Sequence, residues 1–173
     1  MALEEEVVGV LRSYRMRMIG PNCLGIINRS NGLAVPFMAL RSEGTPGGIS
    51  IISQSGGVGV MMLNVLAGEN LGLAKFASIG NKLNVDETEL LEYLIEDSAT
   101  KVVYCYLEGI ARGRKLMETA MGSPKPIIVH KGNNGQTGAH IAMSHSASLS
   151  ANDKVVDAGL RQCGILRTHN QQD

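Results

Sequence analysis

The 173-residue chain contains no Trp, two Phe and four Tyr, which argues against binding nucleic acid by stacking bases on aromatic side chains. An excess of either charge is also missing, since 16 Lys and Arg balance 16 Asp and Glu. A neutral chain has no basic field to draw in a polyanion, so no nucleic-acid partner is expected. Cysteine is sparse: Cys23, Cys105 and Cys163 form no CxxC pair. An odd, scattered set suggests neither a disulfide framework nor a zinc site, and no metal is expected. No apolar run approaches the ~20 residues of a membrane span. The amino-terminal MALEEEVVGV is acidic where a secretory signal is basic. The chain therefore reads as cytoplasmic, with no membrane partner. Glycine is what it has in excess, 21 residues against an average of about 7%, and 44% of residues are apolar, enough for one core.

From residue 49 onward the pattern is regular. A β-branched run at 49–53 leads into a Gly-rich helix ending near 69. Strands at 74–78, 102–107, 126–130 and 164–166 then alternate with helices at 87–96, 113–121 and 151–163. Five strands separated by helix-length connections predict right-handed crossovers and a parallel sheet covered on both faces. The near-continuous apolar runs IIS, VVYCYL and PIIV suit strands buried on both sides. The expected fold is α/β, a flavodoxin-like doubly wound sheet of five parallel strands. The tract RSEGTPGG at 41–48 reads as a linker or turn. Residues 1–40 stand outside the rhythm, as a helix at 4–14, a short strand at 16–19, the turn Gly20-Pro21-Asn22-Cys23 and extended pieces. They resemble the tail of another α/β unit, so the chain is expected to be a fragment, with one boundary near residue 40 and a second domain over 41–173.

Open parallel sheets collect ligands beyond the carboxyl ends of their strands. The first strand of the alternating part ends in Ser53-Gln54-Ser55-Gly56-Gly57-Val58-Gly59 and runs directly into a helix. Small residues there let an anion approach the free N–H groups of the first turn, and the helix dipole adds to the attraction. Close packing of helix on strand explains the same glycines equally well. Asp86 reads as a helix cap. Glu108 ends a buried run at the ligand edge, where a carboxylate needs a partner such as an imidazole or serves as a cap. A long loop carries Lys131, His140 and Ser144-His145-Ser146-Ala147-Ser148. Loops of that length are usually functional or disordered, and spacing alone leaves catalysis beside the plainer reading of surface histidines.

Taken in order, GPNCLGIIN at 20–28, SQSGGVG at 53–59, SIGN at 78–81, VDETELLEYLIED at 85–97, YLEG at 106–109 and SHSASLS at 144–150 resemble the NDP-forming acyl-CoA synthetases. These include the ADP-forming acetyl-CoA synthetases and are related to the succinyl-CoA synthetase α subunit. The resemblance covers nearly the whole chain. It implies conversion of acyl-CoA, phosphate and a nucleoside diphosphate to acid, CoA and the triphosphate, through an acyl phosphate and a phosphohistidine. It assigns His145 as the phosphorylated residue and Glu108 as the acid that orients it. Ser53, Gln54, Ser55, Gly56 and Gly57 match the phosphate-holding segment, and Asn22 and Cys23 the turn near the thiol end of CoA. CoA and ATP or ADP with Mg are implied as substrates, and the transient phosphohistidine as the sole covalent intermediate on the protein.

Two departures bear on that reading. The family's SHTGSLAG stands here as SHSASLSA, so that Ser146 keeps a hydroxyl while Ala147 replaces a glycine. The CoA-binding Rossmann domain is represented only by its apparent last helix and strand, and the ATP-grasp unit is absent. Both are therefore expected as partners, and a homo-oligomer is compatible with the pattern. The competing readings are a non-catalytic, synthetase-like binding or regulatory module, such as part of a protein acyltransferase, and a flavodoxin-like receiver or flavin carrier. A flavin site wants aromatic stacking near its phosphate loop, and none follows residues 53–59.

Overall fold

The computed structural model of the protein describes residues 2–38, 45–132 and 153–169. Helix α1 spans Ala2–Ser13 and is followed by strands β1, Gly25–Asn28, and β2, Leu33–Pro36. The alternating part then runs β3 (Thr45–Ser53), α2 (Gly56–Gly68), β4 (Gly72–Ser78), α3 (Glu87–Glu96), β5 (Val102–Leu107) and α4 (Gly113–Met121). It continues through β6 (Ile127–Lys131) and α5 (Asp153–Gln162) to β7 (Leu166–Thr168). All seven strands form one sheet in the order β2-β1-β4-β3-β5-β6-β7. The five from β4 to β7 pair in parallel, with the second strand of the series outside the first, which is flavodoxin-like order.

Period-2 alternation divides the core between the two faces. Ile51 and Phe76 point to α2, where Leu63, Leu66, Leu73 and Ile27 join them. Ile52, Val103, Cys105 and Leu107 point to the opposite face, which Leu91 and Leu94 of α3, Leu116 of α4 and Leu160 of α5 cover. The carboxyl-terminal half of β3 and most of β4 are buried on both faces, and β5 fully on one and partly on the other, which is why their sequences read as apolar runs. Burial of the Cys105 thiol pushes its pKa up to about 12, so this cysteine behaves as a small apolar side chain.

Three expectations need correction. The five parallel strands are extended by β1 and β2, both antiparallel to their neighbours. Residues 29–32 form the hairpin turn, in which Asn28 Oδ1 accepts from the Ser30 N–H and Asn31 Oδ1 from the Leu33 N–H, with Gly32 at a φ of 73°. Residues 16–19 are not a strand. Met18 donates its N–H to the Asn84 side chain and accepts at its carbonyl from Val85, so this stretch is fastened to the loop before α3. Finally, β3 begins at Thr45, so half of the supposed linker is strand, with irregular register at Pro46 and Ile49.

Asp86 is the cap of α3, accepting from the N–H groups of Thr88 and Glu89 at 2.9 and 3.0 Å. The Arg112 guanidinium meets both of its oxygens, at 2.7 and 2.8 Å. Burial resists ionisation here, but Arg112 and the two N–H donors outweigh it and hold the carboxyl below its ordinary value of 3.8. A depressed carboxyl pKa stabilises the fold fully above the unfolded value, and the effect is lost as pH falls through the native one. Asp86→Ala is expected to lower stability at pH 7 by about 2 kcal/mol, mostly from the lost cap. The acid limb of its unfolding, followed by circular dichroism between pH 5 and pH 2, should be shallower than that of the wild type. A variant with unchanged stability would contradict this account.

Candidate active site

The functional candidates meet at the carboxyl edge of the sheet. Between β3 and α2 stand only Gln54 and Ser55. Ser55 is the N-cap: its Oγ accepts from the Val58 N–H at 3.4 Å and its carbonyl from the Gly59 N–H at 3.0 Å. Ser53 Oγ donates to the Ser55 carbonyl at 2.6 Å, which closes the turn. The cap serves the third and fourth N–H groups of α2. Those of Gly56 and Gly57 remain as donors that a helix start cannot satisfy internally. The first turn of α2 carries no acidic residue, so its positive end is not offset by the helix's own side chains.

The glycines of this segment separate by cause. A Cβ on Gly59 would press on the Phe76 ring, with Cζ at 2.8 Å, so Gly59 lets α2 lie close against β4. At Gly56 a Cβ would find Leu24 Cβ at 3.6 Å, and at Gly57 Ser55 Oγ at 4.0 Å, both ordinary contacts. Among the described residues, packing therefore accounts for Gly59 and not for Gly56 or Gly57.

The Gln54 side chain turns toward β5. Its Oε1 accepts from the N–H groups of Glu108 and Gly109 at 2.9 and 3.1 Å, and the Gln54 backbone N–H donates to the Tyr106 carbonyl at 2.9 Å. On the carbonyl side, Lys131 Nζ donates to the Glu108 oxygen at 2.7 Å and to the Gly132 oxygen at 2.6 Å. Lys82 Nζ donates to the Gly109 oxygen at 2.6 Å and to Glu87 Oε2 at 2.8 Å. Glu87, 1% exposed, uses its other oxygen to accept from the Ala111 N–H at 2.6 Å. Burial pushes the Lys131 pKa below the usual lysine value; Arg167 and Lys82 act in the same direction, and Asp153 and Glu108 against it. The Tyr106 phenol is pushed up, by burial and by the neighbouring Glu108. Tyr106 also stacks on His130, with ring centroids 5.5 Å apart.

The turn carrying Asn22 and Cys23 packs beside the same edge. Asn81 and Leu83 donate their N–H groups to the Pro21 and Gly20 carbonyls at 2.9 and 3.0 Å. Leu24 donates to Ser78 Oγ at 2.9 Å, and Asn22 Nδ2 to Asn81 Oδ1 at 3.3 Å. Asn22 has a φ of 54°, and Cys23 Sγ donates to the Ile19 carbonyl at 3.8 Å.

The fold thus gathers Asn22, Cys23, Ser53, Gln54, Ser55, Gly56, Gly57 and Glu108 at neighbouring strand ends, where β3 and β5 pair Ser53 with Tyr106. His145, with His140 and Ser146, lies outside the described residues. The cluster also includes Lys82 and Glu87, and Lys131, expected in the long loop, is the last residue of β6. Their signal is a charge placed at the end of an apolar strand or in the turn before a helix. Among the described residues, no helix is long and apolar enough to cross a membrane, and no group of three or more His, Cys, Asp or Glu is placed to hold a metal ion.

Comparison with known proteins agrees with this architecture. Residues 46–173 match the succinyl-CoA ligase-like flavodoxin domain. The chain is 37% identical over 169 residues to the α subunit of acetate–CoA ligase [ADP-forming] I from Pyrococcus furiosus, covering 96% of this chain and 36% of that protein. It is 36% identical over 173 residues to acetate–CoA ligase [ADP-forming] from Methanocaldococcus jannaschii, covering 99% and 24% respectively. Among solved structures, dinucleotide-forming acetyl-coenzyme A synthetase 1 of Ca. Korarchaeum cryptofilum, in complex with phosphate and ADP, superposes with a TM-score of 0.91 at 35% identity. That match covers 99% of this chain and 37% of that one. The chain spans about a quarter to a third of the length of these relatives. It belongs to the succinyl-CoA ligase-like flavodoxin domain family.

Proposed function

We propose that this chain is the phosphohistidine-bearing module of an NDP-forming acyl-CoA synthetase, with ADP and a short carboxylic acid as the class its relatives' names suggest. In this reading phosphate displaces CoA from the acyl thioester, breaking the C–S bond and forming an acyl phosphate. An imidazole nitrogen of His145 then attacks phosphorus, the P–O bond to the acyl group breaks, and the carboxylate leaves. ADP, as its Mg complex, finally takes the phosphoryl group from His145 to give ATP. The tail of a CoA-binding domain then lies before β1 and the phosphohistidine domain runs from β1 onward rather than from residue 41, since β1 and β2 share the sheet of β3 to β7. A complete CoA-binding domain and an ATP-grasp unit supply the remaining sites.

The observation that carries this proposal is the placement of Glu108 beside the capped start of α2, the two tied together through Gln54. A helix start with N–H donors and no acidic residue suits a phosphoryl dianion. A carboxylate carried on a backbone held at this place suits an imidazole that must present one nitrogen as nucleophile while the other stays protonated.

The test is labelling with γ-labelled ATP in the presence of the nucleotide-binding partner. Acid-labile, base-stable label is expected on the wild type, is abolished in His145→Asn and is retained in His140→Asn. Label on His140 would overturn the residue assignment while keeping the reaction class. Absence of label from all three would replace the proposal with the non-catalytic reading, to which the SHSASLS departure at Ala147 belongs.

A further inference from the structure

The peptide joining Glu108 to Gly109 is held from both sides by three side chains. Gln54 Oε1 takes both of its neighbouring N–H groups, while Lys131 and Lys82 each take one of the two successive carbonyl oxygens. We propose that Gln54, Lys82 and Lys131 are positioning residues that fix the Glu108 carboxylate, with Lys131 the decisive member. The inference rests on the phosphohistidine reading and extends it to residues that act through Glu108.

Cost is the first argument. Lys131 is 7% exposed, and among the described residues its ammonium is bonded to two carbonyl oxygens and to no carboxylate. A buried ammonium paired only with dipoles is expensive, and an apolar side chain of the same length fills such a place more cheaply. Its retention asks for a reason beyond packing.

Geometry is the second. Two donors and one double acceptor on consecutive peptide groups fix the backbone plane, and hence the direction in which the Glu108 Cα–Cβ bond leaves it. A catalytic group must be held to within about 0.5 Å by its supporting shell. Location is the third. Gln54 belongs to the turn that caps α2, so the grip also sets the carboxylate relative to the helix start, and Lys131 closes it from the far strand, β6.

The experiment uses the complete synthetase phosphorylated from Mg-ATP, with the initial rate of phosphohistidine formation as the signal. Lys131→Met and Gln54→Leu are each made alone and on a Glu108→Ala background. Lys131→Met alone is expected to slow labelling roughly 10–100-fold, the scale of a misplaced catalytic group, with KM for ATP unchanged. On the Glu108→Ala background the same substitution should change the rate by less than about twofold, because a residue acting through Glu108 has nothing left to act on.

Wild-type labelling by Lys131→Met, or an equal loss with and without Glu108, overturns the inference. If Glu108→Ala itself labels at the wild-type rate, the role given to Glu108 falls and takes the inference with it. If Glu108→Ala is impaired and Lys131→Met is not, the inference alone falls. Should Lys131→Met show no cooperative melt, Gln54→Leu makes the same comparison from the opposite side of the peptide.

Discussion

Replacing Gly80 by Ala is expected to lower the unfolding free energy by more than about 3 kcal/mol, a loss reserved for a few named mechanisms. Two of these act together here. Gly80 has a φ of 49°, a left-handed conformation that costs an L side chain roughly 1–2 kcal/mol. A Cβ at this position would also fall on the carbonyl oxygens of Pro21 and Asn22, far inside contact distance. Both obstacles are backbone, so no side-chain rotation relieves them. Relief requires the turn at 20–22 to lift away, with loss of the bonds from Asn81 to Pro21 and from Leu83 to Gly20. The contrast is Gly9→Ala in α1, where nothing lies within 4 Å of the new Cβ and helix propensity favours alanine by about 1 kcal/mol. Urea unfolding should show the midpoint falling for the first variant and rising for the second. A neutral Gly80→Ala would mean that the two turns are not docked as described.

Asp97→Ala is expected to cost about 3–5 kcal/mol, the range for breaking a buried ion pair from one side. Its Oδ2 accepts from Lys75 Nζ at 2.7 Å, from Thr100 Oγ1 at 2.5 Å and from the Thr100 N–H at 3.0 Å. Thr100 Oγ1 in turn lies 2.8 Å from Ser50 Oγ, and both hydroxyl residues are fully buried. The Lys75 side chain is 9% exposed and that of Asp97 14%. Burial opposes ionisation of Asp97, but Lys75 and Thr100 prevail and keep its carboxyl below the ordinary range. Truncating Asp97 strands the Lys75 ammonium in the interior and leaves Thr100 Oγ1 only its contact with Ser50. Lys75→Met removes the ammonium while Asp97 keeps Thr100, so it should cost less than half as much. Equal losses from the two variants, read from midpoints at constant m-value, would contradict this asymmetry.

The alternation of apolar runs with helices was sufficient to read β3 to β6, because a buried strand and its crossover helix leave a strong local pattern, whereas β7, expected at 164–166, lies at Leu166–Thr168. Asp86 was legible for the same reason, since its bonds run to residues two and three positions on. The hairpin of β1 and β2 was missed although GIIN, NRSNG and LAVP carry its signal. Gly25 and Pro36 break the strand pattern at its ends, and the pairing that gives β1 its place lies about fifty residues away, on β4. At the site, glycine and serine spacing located the turn at 53–57, and the end of a buried run located Glu108. The grip on residues 108 and 109 was not legible. It joins positions 54, 82 and 131, and neither a lysine nor a glutamine announces in a sequence which carbonyl or N–H it will meet.

The antiparallel addition also bears on the order of assembly. β1 and β2 are made before the strand they rest on, β4, which follows about forty residues later, a few seconds at ordinary synthesis rates. A two-stranded hairpin is at best marginally stable alone, and in the finished fold Leu33 and Val35 of β2 and the adjoining Phe37 are still exposed. The nascent chain therefore carries an unpaired apolar ribbon through that interval. Its settling onto β4, in the register of Ile26 with Ala77, is a late event in synthesis that closes one border of the sheet from a segment made before it.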